Sequence, residues 1–159
     1  MRIAAVDIGT NSVRLLVADV DGNGTVQTLE RRMHITRLGQ GVDATRRLAP
    51  DAIASTLTVL AEYRTVIEEL GATRVRATAT SAARDATNRD DFFVAGRAAL
   101  GAELELIPGE EEAALSFAGA TRDITEPGPY LVIDIGGGST EFVVGTTEPT
   151  GLVSVDIGC

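Results

Sequence analysis

The sequence has few of the features that mark membrane or secreted proteins. One of its 159 residues is a cysteine, Cys159, which excludes an internal disulfide and is typical of a reducing compartment. No apolar run approaches the roughly 20 residues that a membrane-spanning helix needs. The N-terminus also lacks the apolar core and cleavage site of a signal peptide. We therefore expect a cytoplasmic protein without a membrane partner.

Tryptophan is absent and basic residues are scarce. Aromatic residues make up 4% of the chain, so its core has to consist mainly of Val, Leu, Ile and Ala. The chain has 14 Lys and Arg residues against 23 Asp and Glu residues, which gives a formal net charge of −9. Broad binding to nucleic acid needs a basic face, so we expect no nucleic-acid partner. An anionic small substrate is compatible with this charge where local groups supply a positive potential.

The first half of the chain reads as a β-meander followed by a long helix. Short apolar runs at residues 2–8, 12–20 and 25–38 predict three strands, and the turn sequence Asp-Gly-Asn-Gly separates the last two. A helical period then begins at Pro50 and ends at Gly71. The apolar face predicted for this helix consists of Ile53, Leu57, Leu60, Ile67 and Leu70.

Strands and helices alternate along the remainder. Residues 73–80 and 102–107 read as strands, whereas residues 90–100 and 110–123 read as helices. A second β-meander follows residues 125–129, the one linker-like stretch in the chain. This alternation predicts the α/β class.

Both predicted β-meanders begin with the same motif. In "VIDIGGGSTEF", residues 132–142, an apolar run ends in an aspartate that is followed by glycines, a serine and a threonine. The stretch "AAVDIGTNSVRLL", residues 4–16, repeats this arrangement. The aligned pairs are Asp7 with Asp134, Gly9 with Gly136, and Ser12 with Ser139. Two such turns in one chain suggest a pair of loops that hold the same kind of group.

The chemistry of these motifs favours phosphate and a divalent cation. Backbone N–H groups in a tight glycine turn surround phosphate oxygens without interference from side chains, and hydroxyl groups add further donors. A nearby aspartate repels phosphate unless a cation lies between them, and Mg²⁺ binds one or two carboxylates together with phosphate oxygens and water. For either loop alone, the alternative is a glycine-rich hairpin with an incidental aspartate. Neither loop fits the Walker or dinucleotide-binding patterns.

Four sequence blocks resemble one known family. They are "VDIGTNSVRLLV", "TATSAARDATNRDDF", "IPGEEEAALSFAGA" and "LVIDIGGGSTEFVVG". In this order they are similar to the exopolyphosphatase and guanosine pentaphosphate phosphohydrolase family, which belongs to the actin, sugar-kinase and heat-shock-chaperone ATPase superfamily. The resemblance implies an actin-like (ribonuclease H-like) domain over residues 1–124, with a mixed sheet flanked by helices. Residues 125–159 then form the first strands of a second such domain.

The resemblance also implies a set of binding residues. In this family a phosphate chain lies between two actin-like domains, and a divalent cation, Mg²⁺ or another, neutralises it. Asp134 resembles the principal metal-linked carboxylate, with Glu141 and Asp7 as further acidic ligands, and Arg84 resembles an arginine that reaches the phosphates. The phosphate-binding residues implied in the two loops are Gly9, Thr10, Asn11, Ser12, Gly136, Gly137, Gly138, Ser139 and Thr140.

Glu112 resembles the glutamate that activates the attacking water. A carboxylate in the first turn of a helix is rigidly placed and can accept a proton from water. The alternative for Glu112 is a solvated charge that stabilises the N-terminus of its helix. Glu111 is the main rival as the base, because adjacent helical residues point about 100° apart.

The family's second domain continues beyond the position of Cys159, so we expect this chain to be a truncated form that is weak or inactive on its own. We also expect the final meander to be uncovered. Because an uncovered three-stranded sheet is marginally stable and its edges invite pairing, a homodimer is predicted.

The function implied by the resemblance is metal-dependent removal of terminal orthophosphate from inorganic polyphosphate, with water as the nucleophile. Guanosine pentaphosphate is the alternative substrate, and this chain does not decide between the two. The alternative of a different class is a non-catalytic nucleotide- or phosphate-binding actin-like protein. Such a silent protein is expected to lack the Glu112, Asp134 and Glu141 set, which this chain retains.

Overall fold

The computed structural model describes residues 1–159, which form two compact units, Met1–Leu106 and Ile107–Cys159. The first unit contains a mixed five-stranded sheet with helices, and the second contains a three-stranded antiparallel sheet with one helix. The predicted α/β class is therefore confirmed. None of the helices combines the length and the hydropathy that a membrane span requires.

The sheet of the first unit combines an antiparallel meander with two parallel strands. Strands β1, β2 and β3 pair antiparallel, whereas β4 is parallel to β1 and β5 is parallel to β4, which gives the order β3-β2-β1-β4-β5. Their bounds are β1 Arg2–Ile8, β2 Ser12–Val20, β3 Val26–Ile35, β4 Arg74–Ala79 and β5 Leu104–Leu106. The carboxyl ends of β1 and β4 lie at the same edge of the sheet, because the two strands run parallel.

Four helices accompany this sheet, and their bounds are α1 Val42–Thr45, α2 Pro50–Glu69, α3 Ser81–Asp85 and α4 Arg89–Leu100. As predicted, α2 has a proline in its first turn, and the glycine that follows the helix has a positive φ of 71°. Side chains of α2 and α4 form one buried core with alternate residues of β1, β2 and β4. The residues between them on β1 and β2, including Asp7 and Arg14, lie on the opposite face of the sheet.

The second unit is an antiparallel sheet in the order β6-β7-β8, with β6 spanning Tyr130–Ile135, β7 Thr140–Gly145 and β8 Pro149–Val155. Helix α5, Gly109–Thr121, packs on one face of this sheet, where Ala113, Phe117 and Val143 form a small buried core. The expectation of a wholly uncovered meander was therefore wrong on this face. The helix that precedes the meander, rather than one that follows it, supplies the missing layer.

The position of α5 also bears on the predicted division of the chain. The boundary predicted between residues 124 and 125 lies after this helix, whereas the compact units divide before it. The assignment of residues 1–124 and 125–159 to two actin-like domains stays a prediction. The face of the second sheet that lies away from α5 is apolar and exposed. Its side chains are Leu131, Ile133, Ile135, Phe142, Val144 and Val153.

Candidate functional site

The two glycine loops adopt the same turn. In the first loop, residues 9–12, the N–H of Gly9 donates to the carbonyl oxygen of Ser12 at 2.9 Å. In the second loop, residues 136–139, the N–H of Gly136 donates to the carbonyl oxygen of Ser139 at 2.8 Å. Each turn joins two antiparallel strands. The motif aspartate, Asp7 or Asp134, is the penultimate residue of the strand that precedes the turn. The repeat predicted from the sequence is thus a repeat of backbone geometry.

Close packing of the backbone explains the first glycine of each loop. A Cβ atom on Gly9 would lie 3.2 Å from the Ser12 carbonyl oxygen, and one on Gly136 would lie 3.0 Å from the Ser139 carbonyl oxygen. Both distances are shorter than ordinary carbon–oxygen contacts, so a larger residue would open the turn. The first glycine of each loop therefore permits the close backbone approach that the turn requires.

Residues 36–39 hold the first loop from behind. The N–H groups of Thr36 and Arg37 donate to the carbonyl oxygen of Asn11 at 3.1 and 3.0 Å, and the N–H of Gly39 donates to that of Thr10 at 2.9 Å. These bonds occupy carbonyl groups of the loop. A turn whose carbonyls are bonded elsewhere is better suited to an anion, because its acceptors are turned towards other partners.

Arg84 is placed at the same edge of the first sheet as this loop. It lies in the last turn of α3, which follows β4 directly, and β4 pairs with β1 up to Ala79 and Ile8. The N–H of Thr80 donates to the carbonyl oxygen of Ile8 at 3.3 Å. This bond joins the segment that follows β4 to the end of β1. The first unit therefore brings Asp7, the first loop and Arg84 to one edge.

Asp7 faces an arginine across the β1–β2 hairpin. Arg14 is its register partner on β2, and an Nη1 atom of Arg14 lies 3.8 Å from Oδ2 of Asp7. Both side chains are substantially exposed, so solvent weakens the pair. The sequence did not indicate that Arg14 lies opposite the motif aspartate.

Beside the second loop the register partner of the motif aspartate is a carboxylate, whereas beside the first loop it is an arginine. Asp134 on β6 and Glu141 on β7 are register partners, so their side chains lie on the same face, the one that α5 covers. Glu141 is 1% exposed, and its Oε1 accepts a hydrogen bond from the Ser154 hydroxyl at 2.8 Å. Like charges directly opposite each other destabilise a sheet. A cation between these carboxylates would remove that repulsion.

Helix α5 supplies further polar groups to the same place. The hydroxyl of Ser116 donates a hydrogen bond to Oδ2 of Asp134. Glu112 precedes Ser116 by four residues, so the two share one side of the helix. Glu111 is about 100° away from Glu112 around the helix axis. Both glutamates are half-buried, so it is the direction of Ser116, rather than burial, that favours Glu112.

Residues 157–159 pack against the second loop. The N–H of Cys159 donates to the carbonyl oxygen of Gly136 at 3.1 Å, and the Thr140 hydroxyl donates to the carbonyl oxygen of Ile157 at 2.6 Å. A Cβ atom on Gly158 would lie 2.4 Å from the backbone nitrogen of Gly138. Two glycine-containing segments thus pack backbone against backbone.

The donor set at Asp134 fits a magnesium ion with few protein ligands. Asp134 and Glu141 offer hard carboxylate oxygens, and the hydrogen bonds from Ser116 and Ser154 fix one oxygen of each. No group of three or more His, Cys, Asp or Glu side chains converges in the structure. A cation held by Asp134 and Glu141 would need its remaining ligands from water and phosphate.

The predicted site residues thus fall into two groups in different units. Met1–Leu106 contains Asp7, the first loop and Arg84, whereas Ile107–Cys159 contains Glu112, Asp134, Glu141 and the second loop. Within each unit the predicted residues come together. Ser116, Ser154 and Arg14 were not predicted. The one signal for Ser116 in the sequence is its spacing of four residues from Glu112.

Comparison with known proteins identifies relatives along almost the whole chain. Residues 16–159 match the model of the Ppx/GppA phosphatase family. Exopolyphosphatase 2 of Mycobacterium tuberculosis is 51% identical over 99% of this chain and 52% of its own length. The chain therefore spans about half the length of the curated relatives that it matches.

Solved structures agree with this relationship. The crystal structure of an exopolyphosphatase-like protein superimposes with a TM-score of 0.95 at 43% identity, over 99% of this chain and 51% of that chain. The Ppx/GppA family member of Aquifex aeolicus gives a TM-score of 0.85 at 37% identity, over 99% of this chain and 52% of that chain. The expected mixed α/β fold is confirmed by these likenesses. The family match, the sequence identity and the shared fold together show that this chain belongs to the Ppx/GppA phosphatase family.

Proposed function

We propose that this chain takes part in the hydrolysis of phosphoanhydride bonds, with inorganic polyphosphate as the substrate. The observation that carries this proposal is the repeated turn, in which Gly9 and Gly136 make the same hydrogen bond beside a motif aspartate. The resemblance of this chain to an exopolyphosphatase, at 51% identity, supports the same substrate class. Each loop binds phosphoryl oxygens through backbone N–H groups, assisted by the hydroxyl groups of Ser12 and Ser139, whereas the Thr140 hydroxyl already donates to the carbonyl oxygen of Ile157.

The second loop is the proposed metal site. Asp134 and Glu141 hold Mg²⁺ or another divalent cation, which neutralises charge on the phosphate oxygens when it is bound. The pairing of Asp134 with a carboxylate, and of Asp7 with Arg14, favours Asp134 as the principal ligand. Asp7 stays a predicted secondary ligand, because Arg14 already compensates part of its charge.

Glu112 is the proposed general base. It accepts a proton from a water molecule whose oxygen then forms a bond to the terminal phosphorus. The bond from that phosphorus to the bridging oxygen breaks, and orthophosphate leaves the shortened chain. Arg84 compensates the negative charge of the phosphates through its planar guanidinium group. The hydrogen bond from Ser116 keeps Asp134 oriented on the side of α5 that carries Glu112.

Guanosine pentaphosphate is the second candidate substrate, because hydrolysis of its terminal phosphoanhydride is the same chemistry. The loops bind phosphoryl groups that both substrates possess. The preference between the two substrates therefore stays a prediction. The homodimer also stays a prediction.

Phosphate release tests this proposal. The assay uses the 159-residue chain in excess over substrate, and a chimera in which this chain replaces the matching half of the Mycobacterium tuberculosis relative. We expect Mg²⁺-dependent release of orthophosphate from polyphosphate by the chimera, and weak release by the chain alone. Glu112→Gln is expected to abolish release and retain polyphosphate binding, whereas Glu110→Gln, the matched control on the exposed side of the helix, keeps the rate.

Two outcomes would contradict the proposal. Equal rates for the Glu112 and Glu110 variants would remove Glu112 as the base. A chimera that binds neither substrate, while the unaltered relative is active in the same assay, would remove the proposed substrate class.

A further inference from the structure

The connection between β3 and α2 contacts two parts of the candidate site. Residues 36–48, here called the bracing segment, include the short helix α1. Three apolar side chains fix this segment in the core of the first unit, because Leu38, Val42 and Leu48 are each 3% exposed or less. The segment therefore follows one fixed path across the first unit.

One end of the bracing segment is bonded to the first loop. The N–H of Gly39 donates to the carbonyl oxygen of Thr10 at 2.9 Å, and the carbonyl oxygen of Gly39 accepts from the N–H of Val42 at 3.0 Å. Both polar groups of the Gly39 backbone are thus occupied, one by the loop and the other by the first residue of α1.

The other end of the bracing segment is bonded to residues 87 and 88, which connect α3 to α4. The N–H and the hydroxyl of Thr87 both donate to the carbonyl oxygen of Arg46, at 2.8 and 3.0 Å. The side-chain amide of Asn88 accepts from the N–H of Leu48 at 2.8 Å and donates to its carbonyl oxygen at 3.1 Å. The segment therefore joins the first loop to the chain that follows Arg84.

Gly39 lies where the first loop, the bracing segment and α3 meet. A Cβ atom on Gly39 would lie 2.3 Å from Cγ2 of Thr10 and 3.1 Å from Cβ of Ala82 in α3. Gly39 is not among the glycines with a positive φ, so its conformation is one that alanine also adopts. Space, rather than backbone conformation, explains the glycine at this position.

A methyl group at position 39 would disturb both groups that are proposed to bind phosphate. Thr10 would have to rotate about χ1, which moves its hydroxyl, or the bracing segment would have to move away from the loop. Contact with Ala82 would push against α3, and Arg84 follows Ala82 by two residues in that helix. The spacing between the first loop and Arg84 therefore depends on the absence of a side chain at Gly39.

We propose that Gly39 is a positioning residue, which sets the spacing between the first loop and α3 so that Thr10 and Arg84 bind one phosphate chain together. This inference rests on the proposed function, since it names a residue that determines the geometry of the same site. Two groups held at a fixed spacing bind a chain of phosphoryl groups without the entropic cost of being ordered first.

Calorimetric titration of the 159-residue chain with a polyphosphate of defined length, in the presence of Mg²⁺, tests this inference. Gly39→Ala is expected to weaken polyphosphate binding about ten-fold. Gly22→Ala is the matched control, because a Cβ atom on Gly22 meets no atom within 4 Å and this glycine has no positive φ. It leaves polyphosphate binding unchanged, and urea unfolding of each variant measures its stability.

Two readouts separate positioning from a loss of stability. Arg84→Gln is expected to weaken binding about ten-fold in the unaltered chain, but about two-fold or less in the Gly39→Ala chain, where the arginine is no longer aligned with the loop. Thr10→Ser removes Cγ2 and keeps the hydroxyl. The double variant Gly39→Ala/Thr10→Ser is therefore expected to bind polyphosphate as tightly as Thr10→Ser alone.

Asn88→Ala tests the other end of the bracing segment without altering the first loop or Arg84. It removes both bonds to Leu48, and Asn88 makes no side-chain capping bond to α4 that would be lost as well. We expect polyphosphate binding to weaken about three-fold, with a smaller effect of Arg84→Gln in this background.

The outcomes distinguish this inference from the proposed function. If Gly39→Ala binds polyphosphate as tightly as Gly22→Ala, or if Arg84→Gln keeps its full effect in the Gly39→Ala chain, the positioning role is wrong and the function of the loops stands. Failure of Gly39→Ala to fold, without restoration by Thr10→Ser and with unchanged binding in Asn88→Ala, would overturn it as well. If the unaltered chain and the control bind no polyphosphate, the proposed function fails and this inference fails with it.

Discussion

Ser116→Ala tests the least expected contact in the site. The Ser116 hydroxyl on α5 is the hydrogen-bond donor to Oδ2 of Asp134, and both side chains are half-buried. The substitution removes this donor and keeps the helix, because alanine has the higher helix propensity. Asp134 then loses both a partner for its charge and the constraint on its orientation.

The size of the effect follows from the chemistry of that bond. Hydrogen bonds to charged groups contribute about 1.5–3 kcal/mol, and water replaces part of this at a half-buried site, so we expect the lower end. Loss of such an outer contact to a metal ligand commonly weakens metal affinity about ten-fold or more. We therefore expect the Mg²⁺ concentration for half-maximal polyphosphate binding to rise about ten-fold, which corresponds to about 1.4 kcal/mol.

The assay is polyphosphate binding across a Mg²⁺ titration, together with urea unfolding of each variant. Ser116→Thr retains a hydroxyl and is expected to restore most of the metal response. Thr121→Ala is the matched control, because the Thr121 hydroxyl on the same helix bonds only the Phe117 carbonyl oxygen. An unchanged metal response in Ser116→Ala would refute the role of this contact, as would an equal change in the Thr121 variant.

Two further predictions concern stability. Phe117→Ala empties the centre of the small core under α5 and is expected to lower the free energy of unfolding by about 3–5 kcal/mol. In hydrogen exchange, the amides of β6 and β7 are expected to lose protection while those of β1 and β4 keep it. Phe92→Ala is expected to give the opposite pattern. The hydrogen bonds from Arg2 hold the pKa of Asp19 below its usual range, so this pair stabilises the fold above the unfolded pKa of about 3.9 and ceases to do so as the pH falls through the lower folded pKa. Asp19→Asn should accordingly lower the Tm at pH 7, with a difference that shrinks below about pH 4; a difference independent of pH would contradict this.

The elements with strong local signals were predictable from the sequence. The turn sequence before β3, Pro50 at the start of α2 and the glycine after its end all act within a few residues, so their effect does not depend on the rest of the fold. The four-residue helix α1 was missed, because it is too short to show a period. In α2, Leu60 and Ile67 are buried as predicted, whereas Ile53 and Leu57 are only partly buried.

The reason for this difference lies in the neighbours of α2. The helix packs against α4 as well as against the sheet, so its buried surface is wider than one stripe and includes Thr56 and Tyr63. A polar or aromatic side chain in such a position gives no clear signal in the sequence, because its burial depends on a partner helix far along the chain.

The site shows the same division. The aspartates and glycines of both loops were identifiable, because the motif itself dictates the turn. The contacts of Asp134 with Ser116, of Glu141 with Ser154 and of Asp7 with Arg14 depend on strand register and on how α5 docks. Sequence spacing within one element does not reveal such contacts between elements.

The most direct test of the account is the Mg²⁺ dependence of polyphosphate affinity in Asp134→Asn. The unaltered chain is expected to bind polyphosphate more tightly as Mg²⁺ is added, because the cation joins the carboxylates to the phosphate oxygens. The variant should lose most of that increase and keep the weaker binding that the backbone of the loops provides. An identical increase in both proteins, or no increase in the unaltered chain, would contradict the claim that a metal ion links this aspartate to phosphate.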